Sequence, residues 1–264
     1  VKTTRKGFLM KANFSLSKKQ LLPPVLTSGA LKWIALITMF IDHIGAIILE
    51  KGAISAYNQG LSSAFSYDTS VFLSKLDFFI RQIGRISFPI FCFLLVEGFY
   101  HTSNRKKYAL RLFLFACISE IPFDLCFRGK ILEFSYQNVM FTLLIGFLTM
   151  WAIEILKEKK EILGIIPAVL GILTGFLFHA DYNWKGIVLI LVLYVFYFYP
   201  VEKTIAGCLA LYWEATACLA FIPINLYNHK KGNGPKYFFY FFYPVHLLIL
   251  FLIRYALFGL PAMS

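Results

Sequence analysis

The chain has 264 residues, of which 59% are hydrophobic and 15% are charged. Soluble globular proteins carry roughly 25% charged residues, so this composition excludes that class and indicates an integral membrane protein. The net charge of +12 does not indicate nucleic-acid binding. Lys and Arg accumulate on the cytoplasmic flanks of membrane helices, where they also contact anionic lipid.

The beginning of the chain differs in character from the rest. Residues 1–30 are basic, and their apolar stretches are too short for a signal peptide. We interpret them as a cytoplasmic tail. Residues 31–264 are expected to form one transmembrane domain, because apolar runs recur along nearly all of it.

Eight segments of this domain are apolar enough to cross a bilayer, whose hydrocarbon layer requires about 20 residues of helix. The predicted fold is therefore an all-α, polytopic membrane helix bundle of about eight transmembrane helices. The longest connection, 51–82, ends in an amphipathic stretch that favours an interfacial helix. The predicted transmembrane segments are 31–50, 83–100, 108–127, 138–156, 162–179, 183–200, 204–224 and 237–258.

The distribution of basic residues predicts the orientation. They cluster in the N-terminal tail and after the second, fourth and sixth segments, which places the N-terminus in the cytoplasm. One loop disagrees, because the lysines of residues 227–236 fall on the opposite side when eight crossings are counted. The five cysteines lie in apolar runs without ligand spacing, so neither a metal site nor a disulfide framework is predicted.

The first segment carries Asp42 and His43 near its middle. An ionisable group at that depth costs at least ~2.5 kcal/mol, so both side chains should face protein, water or substrate. Lys32 precedes His43 by about three helical turns, which places the two on one face. A neutral imidazole there is a candidate general base. Alternatively, Asp42 and His43 are a structural pair that joins helices by hydrogen bonds.

Other predicted segments contain more polar side chains than membrane anchoring requires. Glu120 and Asp124 are four residues apart and share a helix face. These residues also have structural interpretations, such as an ion-pair network around Arg85 or a Glu97–Arg111 pair between neighbouring helices. The polar residues in question are Arg85, Glu97, Arg111, Glu120, Asp124, Asn138, Tyr243 and His246.

Five stretches together carry a family resemblance: MFIDHIG at 39–45, GRISFPIFCFLLVEGFYHT at 84–102, KYALRLFLFACISEIPFDL at 107–125, QNVMFTLLIG at 137–146 and KYFFYFFYPVHLLIL at 236–250. Over about residues 29–258 the chain resembles the TraX family, named for a conjugation protein that N-acetylates pilin. That family is similar to the broader integral-membrane acyltransferases, including the acyltransferase-3 and heparan-sulfate acetyltransferase groups. Those enzymes place a catalytic histidine in an Arg-x10-His pattern, to which Lys32 and His43 correspond, with lysine replacing arginine.

The resemblance implies an enzyme of the bacterial inner membrane that moves an acetyl group from cytoplasmic acetyl-CoA to an acceptor on the outer side. The acceptor is a peptide amine or a glycan hydroxyl, no metal is implied, and an oligomer is compatible. His43 and Asp42 would be catalytic, and Lys32 with Arg111 would hold the CoA phosphates. The acceptor site would comprise Arg85, Glu97, Glu120, Asp124, Asn138, Tyr243 and His246.

Two other functions remain open from the residues themselves. Intramembrane carboxylates and histidines also form the proton relays of secondary transporters, although the internal repeats frequent in transporters are not detectable here. The third interpretation is a non-catalytic assembly protein of a secretion apparatus.

Overall fold

A computed structural model of the chain describes residues 21–60, 66–232 and 237–259. Most of the predicted tail, up to residue 20, lies outside the described residues. Within them the structure is helical, and β pairing is limited to isolated bridges between Leu26 and Tyr227 and between Gln137 and Ala180. The predicted all-α membrane helix bundle is confirmed.

The helices follow one another with short connections. Four stretches of the described residues are long and apolar enough to cross a membrane: Ser28–Asn58, Tyr67–His101, Val139–Lys157 and Phe238–Phe258. The individual helices are α1 (Ser28–His43), α2 (Ser55–Asn58), α3 (Tyr67–Gly84), α4 (Ser87–His101), α5 (Arg105–Phe127), α6 (Val139–Lys157), α7 (Ile165–Leu177), α8 (Asn183–Val195), α9 (Pro200–Ala210), α10 (Phe221–Asn225) and α11 (Phe238–Phe258).

Helix α1 has a defined start and an unusual continuation. Thr27 caps it, because the Oγ1 atom of Thr27 accepts a hydrogen bond from the backbone N of Ala30 at 3.2 Å. Directly after His43 the helix widens into π-helical turns over Ile44–Ile54. Such turns are rare and are frequently found at functional sites.

Helix α3 crosses α1 at close range through a glycine. A Cβ atom at Gly84 would lie 2.2 Å from the Cβ atom of Asp42, so only glycine allows this approach. Helix α3 includes the amphipathic stretch predicted for the long connection, and its exposed residues include Phe72, Phe78 and Phe79. A turn at residues 85–86 separates α3 from α4.

Helices α1 and α11 run side by side in the same direction. Lys32 contacts Phe239 near the start of both helices, and a Cβ at Gly52, in the π-helical continuation of α1, would meet Phe258 at the end of α11. We call the end where α1 begins the inner end and the opposite one the outer end. The chain after α10 also lies at the inner end, since Ser28 N donates to Lys230 O at 2.9 Å.

The prediction of a single transmembrane helix over residues 204–224 is wrong. Residues 200–225 form a hairpin instead, in which α9 and the segment Ala215–Asn225 are separated by a break at residues 211–214. Asn225 Nδ2 donates to Thr204 Oγ1 at 2.8 Å, so the hairpin begins and ends at the same level of the bundle. This places Lys230 and Lys231 at the same end as the start of α1 and removes the disagreement over the basic loop. Lys236 lies outside the described residues.

Candidate functional site

Two histidines meet where α1 faces α11. His43 Nδ1 and His246 Nε2 are 2.6 Å apart, and His246 Nδ1 lies 2.6 Å from the backbone O of Phe242. His246 is buried, whereas His43 is half-buried. Aromatic rings surround the pair: Phe40, Phe127, Phe242 and Tyr243.

The helical repeat brings these residues together. Lys32 and His43 are about three turns apart on α1, and Phe239 and His246 are about two turns apart on α11. Because the helices are parallel, one pair of faces supplies both the Lys32–Phe239 contact and the His43–His246 contact. Pro244 stands two residues before His246 and removes a helical N–H from that part of α11.

Asp42 faces away from this pair. Successive helical residues point about 100° apart, and Asp42 turns toward α3, where its Oδ2 atom lies 3.9 Å from Arg81 Nη1. Its Oδ1 atom is buried without a hydrogen-bond partner among the described residues. The structure therefore surrounds His43 with His246 and aromatic rings, while the Asp42 carboxylate faces Arg81 of α3. A catalytic role of Asp42 stays a prediction.

Arg85 anchors the tip of the hairpin at the outer end. Its Nη1 atom lies 2.8 Å from Glu214 Oε1, and both side chains are largely buried. Tyr182 stacks on Phe88 with ring centroids 3.6 Å apart and also interacts with the Arg85 guanidinium. In the preceding loop, burial raises the pKa of Asp181, whose carboxylate accepts a 2.6 Å hydrogen bond from the hydroxyl of Tyr136.

The predicted acidic residues of α5 come together with Asn138. The Asn138 side-chain amide donates to Glu120 and, at 2.9 Å, to the backbone O of Ala116. Asn138 also caps α6, since its Oδ1 atom accepts from Met140 N at 2.9 Å. Asp124 Oδ2 accepts from Glu133 N at 2.7 Å. One oxygen of each carboxylate, Glu120 Oε1 and Asp124 Oδ1, is buried without a partner among the described residues.

Tyr243 lies between the histidine pair and this acidic group. Its ring centroid is 6.1 Å from that of His43, and its hydroxyl is within electrostatic reach of Glu120 and Asp181. The buried Tyr243 therefore joins the histidine pair to the polar side chains toward the outer end.

Lys32 and Arg111 both contact the first turn of α11. Lys32 Nζ lies 5.2 Å from the ring centroid of Phe239, and the Arg111 guanidinium carbon lies 5.9 Å from that of Tyr240. Two cations thus flank α11 at the inner end.

Glu97 belongs to a separate cluster at the inner end. Its carboxylate accepts hydrogen bonds from the hydroxyls of Tyr197 and, at 2.7 Å, Tyr227, and it lies 3.3 Å from His101 Nδ1. The buried Lys203 also interacts with it. Glu97 therefore contacts neither Arg111 nor the His43–His246 pair, and its place in the acceptor site stays a prediction that these contacts do not support.

Several polar residues of the interior were not identified from the sequence. Arg254 is buried and donates to the backbone O atoms of Cys126 at 2.5 Å and Leu125 at 3.0 Å, which satisfies the end of α5. Arg81 and Tyr182 complete the groups around Asp42 and Arg85. The sequence contained enough information to identify Arg254 as a buried polar residue, because an arginine within an apolar 21-residue helix requires a partner.

The sequence is similar to a known protein family and to a named protein. The family model described as TraX protein matches residues 27–254. A probable fimbrial assembly protein FimC, serogroup H1, of Dichelobacter nodosus is 30% identical over 254 residues, which cover 83% of this chain and 92% of that protein. No solved structure matches.

Proposed function

Because this chain belongs to the TraX family, we propose that it is an integral-membrane acyltransferase that moves an acetyl group from acetyl-CoA to a peptide amine or a glycan hydroxyl. The observation that carries the proposal is the placement of His43. Its imidazole lies within the bundle, half-buried and hydrogen-bonded to a second imidazole, on the helix face that also bears Lys32 at the inner end.

The arrangement supports a direct transfer. His43 takes the proton of the acceptor amine or hydroxyl while that group attacks the thioester carbonyl, and the collapsing intermediate releases the CoA thiolate, which takes the proton back. A positioned general base of this kind contributes about 10²–10⁴-fold to rate. The family relative named for fimbrial assembly favours an acceptor that reaches the cell envelope.

The charged ends of the site suit its two substrates. Lys32 and Arg111 stand at the inner end, where cations hold phosphate groups of CoA. Glu120 and Asp124 offer unpartnered carboxylate oxygens toward the outer end, and such oxygens accept hydrogen bonds from either an ammonium group or a hydroxyl. We place the N-terminal end of α1 on the cytoplasmic side of a bacterial inner membrane. The donor then arrives from the cytoplasm and the acceptor from the opposite side.

Label transfer in proteoliposomes tests this function. Acetyl-labelled acetyl-CoA is supplied with a short peptide bearing a free α-amino group, and separately with an oligosaccharide, and product is quantified by mass spectrometry. We expect His43→Gln to lower turnover by about 10²-fold or more. The control is His179→Asn, an exposed histidine with a positive φ of 48° that asparagine tolerates. Full turnover by His43→Gln would remove His43 from the chemistry.

A proton-coupled transporter is the second candidate, favoured by the chain of polar groups from the histidine pair through Tyr243 to Glu120. It predicts proton-dependent solute uptake in the same proteoliposomes without acetyl-CoA. Label transfer without such uptake supports the acyltransferase, and uptake without label transfer supports the transporter.

A further inference from the structure

The contact between His43 and His246 is an in-plane hydrogen bond. The two ring planes are only 22° from parallel, which by itself resembles a face-to-face stack. However, the ring centroids are 4.9 Å apart while the facing nitrogens are 2.6 Å apart. Two imidazoles reach this combination only edge to edge, with both nitrogens between the ring centres. One nitrogen therefore donates and the other accepts.

The backbone carbonyl of Phe242 decides which nitrogen donates. A carbonyl oxygen only accepts, so the 2.6 Å contact requires the proton of His246 to be on Nδ1. In a neutral imidazole the other nitrogen is then an acceptor, so His246 Nε2 accepts and His43 Nδ1 donates. The Nε2 atom of His43 is left with its lone pair, which is the form that a general base requires.

The surroundings keep the pair neutral at rest. The rings packed around the two imidazoles come from α1, α5 and α11, and three of the four are phenylalanines. A charged imidazolium would gain no counter-ion from these side chains and would be costly in so apolar a setting. Both histidines therefore rest with one proton each.

We propose that His246 is a positioning residue that holds His43 in the Nδ1–H tautomer, which leaves the Nε2 lone pair of His43 free to act as the base. This inference rests on the proposed function. When His43 Nε2 takes the acceptor's proton, the positive charge stays on His43, and its Nδ1–H remains hydrogen-bonded to His246 Nε2. His43 Nε2 then returns the proton to the departing thiolate, so the enzyme ends unchanged.

Two substitutions of His246 separate this role from simple packing. His246→Gln keeps a carbonyl oxygen able to accept from His43 Nδ1–H, whereas His246→Phe fills similar space without an acceptor. The matched control is Val245→Ala, an exposed neighbour on α11. We expect turnover to fall about 10–100-fold in His246→Phe, by analogy with residues that orient metal-binding histidines through the other ring nitrogen, and to recover at least in part in His246→Gln.

The direct readout is the tautomer itself, which does not depend on activity. Nitrogen-15 NMR of histidine-labelled protein in detergent distinguishes protonated from unprotonated ring nitrogens, and the His43→Gln spectrum assigns the His43 signals. We expect His43 to carry its proton on Nδ1 in the wild type and in His246→Gln, and to lose this preference in His246→Phe.

The outcomes separate this inference from the proposed function. A wild-type His43 protonated on Nε2, or a His246→Gln protein as inactive as a folded His246→Phe protein, overturns the role of His246 while leaving His43 as the base. Full label transfer by His43→Gln overturns the proposed function, and the catalytic part of this inference with it, whatever the tautomer.

Discussion

The close approach of α1 and α3 makes Gly84 a position where one methyl group should lower stability. In Gly84→Ala the new Cβ would lie 2.2 Å from Asp42 Cβ and 2.4 Å from Asp42 Oδ1, whereas ordinary contacts are 3.4–4 Å. The Asp42 Cβ is fixed by the α1 backbone and cannot rotate away, so the helices must separate. Overpacking of this kind costs about 1–3 kcal/mol.

The expected net effect follows from two opposing contributions. Alanine recovers up to roughly 1 kcal/mol of helix propensity over glycine, so we expect a net destabilisation of about 1 kcal/mol. For a chain of this size that lowers the melting temperature by roughly 2–4 °C. The assay is thermal unfolding of the detergent-solubilised protein followed by tryptophan fluorescence.

The control is another glycine whose neighbour can move. In Gly164→Ala the nearest atoms are the Cε and Cγ atoms of Lys157 at 2.7 and 2.8 Å, and this flexible side chain is able to turn aside. We expect little change in its melting temperature. A Gly84→Ala protein as stable as Gly164→Ala would refute the described α1–α3 contact, and with it the placement of Asp42 beside Arg81.

Three further predictions concern the two ends of the bundle. Lys32→Ala should raise the KM for acetyl-CoA roughly 10-fold with kcat little changed, because the substitution removes binding that is common to the ground and transition states. Lys32→Arg should keep the wild-type KM. An unchanged KM in Lys32→Ala would contradict the proposed binding of phosphate by Lys32. Tyr227→Phe removes the 2.7 Å hydrogen bond to the buried Glu97 and should lower the free energy of unfolding by about 1–3 kcal/mol. The control is Tyr255→Phe at an exposed position, which should change it by less than about 0.5 kcal/mol. Thermal unfolding measures both. In a cysteine-free protein, Ser103→Cys and Lys231→Cys should react with an impermeant maleimide from one side and Ile131→Cys from the other; labelling of all three from one side would overturn the hairpin topology.

Local sequence patterns predicted most of the helices. The apolar runs at 138–156 and 237–258 correspond closely to α6 and α11, because a bilayer allows little besides a helix for such stretches. The hairpin at 200–225 was beyond that reasoning. Its apolar residues are typical of one long helix, whereas the structure breaks the helix at residues 211–214 and places Glu214 beside Arg85, which is far away in the sequence.

The site was predicted in part for the same reason. His43 stood out as an ionisable group within an apolar helix, but its partner His246 is 203 residues away, and no local pattern links them. The direction of Asp42 follows from helical geometry, since the 100° turn between neighbouring residues directs Asp42 and His43 to different helices, but no local pattern identifies Arg81 as the neighbour of Asp42.

A structure determined with CoA bound tests the central claim most directly. We expect the CoA thiol to lie within hydrogen-bonding reach of the His43 imidazole, and its phosphates to lie at the inner end near Lys32 and Arg111. CoA bound with its thiol remote from His43, or entering from the outer end, would contradict this expectation.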